Sequence, residues 1–285
     1  AFGCRFLVPR KEAGRKNGRG ALIMLMMRPL RRAVMTARRP VVAGFASKHG
    51  EATAPLMTGT GGVAGLLGSL AGMGGGFVAI PLMTRMGIAQ HSAQGTSLVG
   101  VLATGISGAS AFAMAGQVDW IAAATIAAAG AVTAGLGATA ASKVSAGNLA
   151  RALGVLMLCM APIVPLSQHG VSEVQPASSE VSEVPSQPAS SIKLLGIGGA
   201  AGFLAGLFGV GGGAVVVPLL ALGSDMPHKL ALGTSLAAMV PTAIAGIVAH
   251  QRLGNILRPT LSLPLAAGTA VGAFLGGMLA SHLPD

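Results

Sequence analysis

The chain has 285 residues, of which 52% are hydrophobic and only 9% charged, with 44 glycines and a formal net charge of +11. A soluble domain of this size carries about a quarter charged residues, so the composition excludes an ordinary soluble fold and points to a bilayer. Two cysteines, Cys4 and Cys159, are too few and too far apart in sequence for a disulfide framework or a zinc ligand set.

The charge belongs to the first segment. Residues 1–50 hold twelve Lys and Arg against one acid, Glu12, whereas the remaining 235 residues hold seven of each sign. The basicity is therefore a property of a leader, expected over 1–55, and not a nucleic-acid signal. Within it, MMRPLRRAVMTARRPVVAGFASKHG carries five arginines and no acid. An Arg-rich, acid-poor segment of this kind resembles an organelle transit peptide, mitochondrion ahead of plastid. A disordered basic tail, or translation from upstream of the true start, is the alternative; the chain begins at Ala1.

Beyond residue 55 the sequence turns to long apolar runs, about 56–86, 92–115, 118–142, 148–167, 192–223, 229–251 and 257–282. Each is close to the roughly 20 residues that a helical membrane span needs. These runs predict an all-α membrane protein of about seven transmembrane helices. Trp120 is the only tryptophan and tyrosine is absent, so the aromatic belts of many membrane proteins are nearly missing. Between the fourth and fifth runs, QHGVSEVQPASSEVSEVPSQPASS is a polar linker over 168–191. It divides the body into membrane repeat 1 (56–167) and membrane repeat 2 (192–285).

The halves repeat one another. GMGGGFVAIPL at 72–82 returns as GVGGGAVVVPL at 209–219, and GTSL at 95–98 returns as GTSL at 233–236. The first pair is offset by 137 residues and everything after it by 138, which also pairs Gly108 with Gly246, Gly116 with Gly254 and Gly130 with Gly268. Internal duplication is a common construction for secondary transporters.

The first motif is locally unfavourable. Each glycine costs a helix about 1 kcal/mol relative to alanine, and a proline follows in each copy. As one helix, 56–86 would measure about 46 Å against a hydrocarbon core of about 30 Å. The first helix of each repeat is therefore expected to break at its triplet, Gly74–Gly75–Gly76 and Gly211–Gly212–Gly213, with Pro81 and Pro218 as helix-break residues. Small residues at spacing four, such as Gly268, Gly272 and Gly276, suit close helix packing. Three adjacent glycines face different sides and ask for another use. Unwound backbone at membrane depth survives only where protein encloses it or it lines a cavity.

Two copies of a glycine-triplet segment ending in Pro-Leu, each followed by Gly-Thr-Ser-Leu, resemble the TauE/SafE sulfite exporter family of multi-pass membrane proteins. The resemblance covers roughly residues 58 to 283. It implies export of small anions: sulfite, sulfonates and related organosulfur compounds. It also implies about four helices per half. The second half stops at ASHLPD, where the first half continues through SKVSAGN into a further span, so the chain is expected to lack a last helix.

Substrate-binding candidates follow from anion chemistry. Backbone N–H groups at half-helix starts present a positive dipole end. They are expected to act at Gly74, Gly75, Gly76, Gly211, Gly212 and Gly213, with the hydroxyls of Thr96, Ser97, Thr234 and Ser235 as further donors. The competing use of those hydroxyls is helix-to-helix hydrogen bonding. Gln94 has no polar counterpart, since Leu232 stands at the paired position, so any site would be asymmetric there. His91, His228 and His250 are expected at the membrane interfaces. No intramembrane carboxylate suggests a proton relay.

GIGGAA at 196–201 matches a loose dinucleotide fingerprint but lies in an apolar run without a preceding strand pattern. No enzyme, cofactor or metal site is expected. The partners expected are the lipid bilayer and a small anionic solute, with a homo-oligomer compatible and nucleic acid not. A passive channel or permease for another solute, or an inactive truncated product, are the alternative functions. Loop charges mildly favour simple alternation of the spans, with both repeats in one orientation, over re-entrant hairpins with inverted repeats.

Overall fold

The computed structural model describes residues 53–169, 191–223 and 226–283. Nearly all of the leader and of the polar linker lie outside them. The described residues form nine helices and no strand: α1 (Ala54–Leu70), α2 (Gly76–Arg85), α3 (Gln90–Met114), α4 (Trp120–Ala141), α5 (Ala146–His169), α6 (Ser191–Phe208), α7 (Gly213–Gly223), α8 (His228–Arg252) and α9 (Pro259–His282). Four of them, α3, α4, α8 and α9, are long and apolar enough to cross a membrane.

Helix ends fall where the few polar residues are. Asp119 caps α4, its Oδ1 accepting from the amides of Ile121 and Ala122 at 3.0 Å each. Pro55 and Pro259 sit in the first turns of α1 and α9, where a missing N–H has no consequence. Arg85 and Arg252 occupy the last turns of α2 and α8.

Each first helix is broken as expected, and the break is a reversal. The turn uses left-handed glycines: Gly72 and Gly74 at φ +63° and +66°, and Gly209, Gly211 and Gly212 at +74°, +96° and +74°. Only glycine takes this conformation without strain. Pro81 and Pro218 do not make the break; they lie inside α2 and α7, downstream of the glycines that do.

Helix directions follow from which residues meet. Gly61 and Gly65 of α1 back onto Leu265 and Thr269 of α9, and Gly276 of α9 onto Leu66. Numbers rise together, so α1 and α9 are parallel. Gly100 meets Leu265 and Thr269, and Gly277 meets Gly108 and Ala111, so α3 runs that way too. With α1 and α3 parallel, α2 must return the chain to the side where α1 began. It does: Gly75 backs onto Ala64 of α1.

The second half repeats this upside down. Gly198, Gly202 and Gly206 of α6 meet Ile126, Gly130 and Ala134 of α4, so these two are parallel. Asp119 and Gly130 of α4 meet Thr234 and Thr242 of α8, which adds α8 to the same set. Gly246 meets Leu98 while Gly108 meets Leu236, so α3 and α8 are antiparallel. The repeats are therefore inverted and the glycine motifs are re-entrant hairpins, against the mild preference drawn from loop charges. Those charges are too few and too near the ends to oppose packing.

Two seams give the glycines of these helices their use. The first helix of each half packs on the fourth helix of the other half, α1 on α9 and α6 on α4. A Cβ on Gly65, Gly268, Gly272, Gly202 or Gly206 would run into the facing backbone. In a membrane, where burying apolar groups gives helices no reason to meet, such close backbone approach is the main source of attraction. The outward faces are apolar, with Ile121, Met114, Ile192 and Val132 between 74% and 81% exposed. That suits lipid contact.

Candidate functional site

The two helix breaks meet at the centre of the fold. Both triplets are buried. A Cβ on Gly76 would lie 2.7 Å from the Cα of Val210, and one on Gly213 would lie 2.5 Å from the carbonyl oxygen of Gly72. Each triplet thus touches the break of the opposite half.

The Thr-Ser pairs hold this crossing together. Ser97 Oγ donates to the carbonyl of Gly209 and, at 2.9 Å, to that of Gln94. Its partner in the repeat, Ser235 Oγ, donates to the carbonyl of Gly72 at 3.0 Å. Thr96 Oγ1 accepts from the amide of Leu257 at 2.9 Å, and Thr234 Oγ1 accepts from the amide of Asp119 at 3.0 Å. Gly72 pairs with Gly209 and Asp119 with Leu257 in the repeat, so the four bonds form two symmetric sets. Each half's third helix ties down the other half's break and the loop before its fourth helix.

The amides differ between the halves. In the first, Gly74 N–H donates to the carbonyl of Gly68 at 3.2 Å and Gly76 N–H to that of Gly74 at 2.5 Å. In the second, the N–H groups of Gly211, Gly212 and Gly213 find no acceptor among the described residues; in the first, only Gly75 and Phe77 share that state. Gly212 and Gly213 open α7, where the first N–H groups of a helix have no intrahelical acceptor, and here protein rather than water surrounds them.

Two residues that sequence reasoning missed fill the middle. A Cβ on Gly74 would lie 2.8 Å from Met239 Sδ, and one on Gly211 would lie 2.5 Å from Val101 Cγ1 and 3.3 Å from Met239 Sδ. Val101 and Met239 are repeat partners and both are buried. Their signal was present: each lies four residues after the serine of its GTSL motif, one turn along the same face. Beside Gly211 and Ser235 there remains a cavity of only about 10 Å³, also lined by Met239 and Thr242. That is barely enough for one water.

Gln94 is fully buried and both its amide atoms lack a hydrogen-bond partner. His250, expected at an interface, is instead fully buried in α8, its Nε2–H donating to the carbonyl of Gly206 at 2.9 Å. His91 and His228 are half-buried near the starts of α3 and α8. Among the described residues no group of three His, Cys, Asp or Glu could hold a metal.

A family model described as sulfite exporter TauE/SafE matches residues 20–164 and 194–285. A probable membrane transporter protein of Xylella fastidiosa (strain Temecula1) is 30% identical over 79% of this chain and 84% of its own length. The probable membrane transporter protein YunE of Bacillus subtilis is 25% identical over 78% of this chain and 85% of its own. YdhB of the same organism, likewise a probable membrane transporter protein, is 41% identical over 29% of this chain, a match spanning about a third (34%) of that protein. No solved structure matches.

Proposed function

Because the chain belongs to the sulfite exporter TauE/SafE family of membrane transporters, we propose that it carries small sulfur oxyanions, sulfite or sulfonates, held between its two helix breaks. The observation that carries this reading is the row of unpartnered, buried amides at Gly211–Gly213. N–H donors aimed at one point in a low-dielectric interior interact strongly with an anion, and no cationic side chain is required. The N-termini of α2 and α7 add the positive ends of two helix dipoles.

The hydroxyls divide the work. Ser97 and Ser235 spend their protons on backbone carbonyls and set the geometry of the breaks. Thr96 and Thr234 only accept, and among the described residues their own protons meet no acceptor, which leaves them for an oxyanion.

A site closed by Val101 and Met239 also favours a carrier over an open channel. Inverted repeats rock about a central site, exposing it to one side at a time. The flexible thioether of Met239 is suited to move aside as this happens. Flux of radiolabelled sulfite into vesicles holding the purified chain tests the reading. Uptake that saturates and responds to an imposed pH gradient is expected. Uptake equal to that of empty vesicles would overturn it.

The leader is a separate proposal, supported by its charge asymmetry alone. Residues 27–50 fused to a fluorescent reporter are expected to direct it to mitochondria, and a diffuse cytosolic signal would remove that idea.

A further inference from the structure

Two of the positions at which the repeats differ are brought to one place by the fold. Gln94 stands where the second half has Leu232, and His250 where the first half has Phe112. The surroundings match residue for residue. A Cβ on Gly95 would run into the carbonyl of Asn255 and the Cβ of His250; one on its partner Gly233 would run into the carbonyl of Gln117 and the Cβ of Phe112. At one of these two symmetry-related places, between α3 and α8, Phe112 and Leu232 belong to a single apolar cluster with Met239. At the other, the amide of Gln94 and the imidazole of His250 stand instead.

Both polar residues lean on the last turn of α6. His250 Nε2 donates to Gly206, and the backbone of Gln94 lies directly against Gly209. With its Nε2 proton committed, the neutral ring keeps Nδ1 as an acceptor, 3.5 Å from Asn255 Nδ2 and thus at the limit of a hydrogen bond. Gln94 is fully buried, with its donor and its acceptor both unpartnered. A buried amide in that state is unfavourable, and leucine at the paired position shows that the scaffold does not need it.

We propose that Gln94 and His250 form a one-sided recognition site for a singly protonated oxyanion of the hydrogen sulfite type. This rests on the transport reading above and narrows its substrate class. A carboxamide presents N–H beside C=O, which complements an oxyacid presenting S=O beside O–H. The amide donates to the anion's oxygen and accepts from its hydroxyl, while His250 Nδ1 offers a second acceptor for the same proton. A sulfonate is fully ionised and has no O–H to give, so it would leave both acceptors unpaired. Discrimination against a ligand lacking a required hydrogen-bonding group is the strong kind.

The test makes the two places alike. The double variant Gln94→Leu/His250→Phe copies the Leu232–Phe112 packing and is expected to unfold in detergent at or above the wild-type temperature. In vesicles, uptake of radiolabelled sulfite should fall at least tenfold, while uptake of methanesulfonate stays within twofold. Sulfite uptake within twofold of wild type in the folded double variant would overturn the proposal, as would an equal loss of both solutes. A wild type that moves neither solute would overturn the transport reading and this proposal with it. If the double variant does not accumulate, Gln94→Met alone keeps the side-chain volume. It should raise the KM for sulfite about tenfold with Vmax within twofold, and an unchanged KM would overturn the proposal.

Discussion

The two halves are built alike where they hold the molecule together and differ where a solute would be met. Seams, serine ties and threonine ties come in symmetric pairs. The free amides, the histidine, the buried glutamine and the size of the central plug do not. Gly212 is left-handed whereas its partner Gly75 sits at φ −48°, as the N-cap of α2. Duplication supplies a scaffold that closes on itself, and divergence after it marks the positions free to specialise.

The largest effect should come from breaking a symmetric element. Leucine at Gly272 would thrust a side chain into the backbone of Gly62, and leucine at Gly202 into that of Gly130. Neither backbone can yield without parting its helices, so each variant should lose more than about 3 kcal/mol. Both should disappear from the membrane fraction to a similar extent. Unequal losses would show that the seams are not equivalent. Leucine at Gly75 or Gly212 belongs to this class as well, since a Cβ at either would lie 2.6 Å from the carbonyl oxygen of Ala64 or Ala201.

The next effect should separate the halves. Alanine at Gly211 must adopt φ +96°, and alanine at Gly74 φ +66°; each is strained by about 1–2 kcal/mol. Only the Gly211 amide is unpaired. Alanine keeps the N–H but relieves its strain by turning that amide, so sulfite flux, normalised to protein in the vesicle, should fall about tenfold further in Gly211→Ala than in Gly74→Ala. Equal flux in the two would remove the amide row from the mechanism.

How much of this was legible in the sequence depends on what carried it. Glycine triplets and GTSL motifs are visible as text, and their duplication gave the two repeats and the broken first helices. The unpaired Gln94 was legible too, because Leu232 stands in its register. Inversion of the repeats was not, since it depends on which glycine meets which backbone across 200 residues, and the loops carry few charges to report it. Nor were the partners of Thr96, Ser97, Thr234 and Ser235: a hydroxyl in an apolar helix reads the same whether it waits for an anion or for a carbonyl. His250 misled because Arg252 follows it closely and made the position look like a helix end, yet the chain buries it.

Smaller effects test the ties. Ser97→Ala leaves the Gly209 carbonyl without its hydroxyl, and Ser235→Ala does the same to Gly72. Each should destabilise by about 1–2 kcal/mol, read as thermal unfolding in detergent. Since the two bonds do the same job in opposite halves, the losses should agree within about 0.5 kcal/mol and add in the double variant. A loss in one alone would mean that one serine serves the solute instead of the scaffold.

The smallest structural change concerns the plug. Met239→Val gives the second half the side chain that Val101 already provides in the first. It removes the atoms lying closest to Gly74 and Gly213, so it widens the gap between the breaks. The helix keeps its face and no polar group loses a partner, so the stability loss should be about 1 kcal/mol. If the thioether blocks the crossing, shortening it should speed sulfite flux severalfold and admit bulkier sulfonates that the wild type moves poorly. Val101→Met fills the same space from the other side and should slow flux. Should both variants transport at the wild-type rate, the solute does not pass between the breaks, and the one-sided pair beside α6 would be the site from which to trace its path.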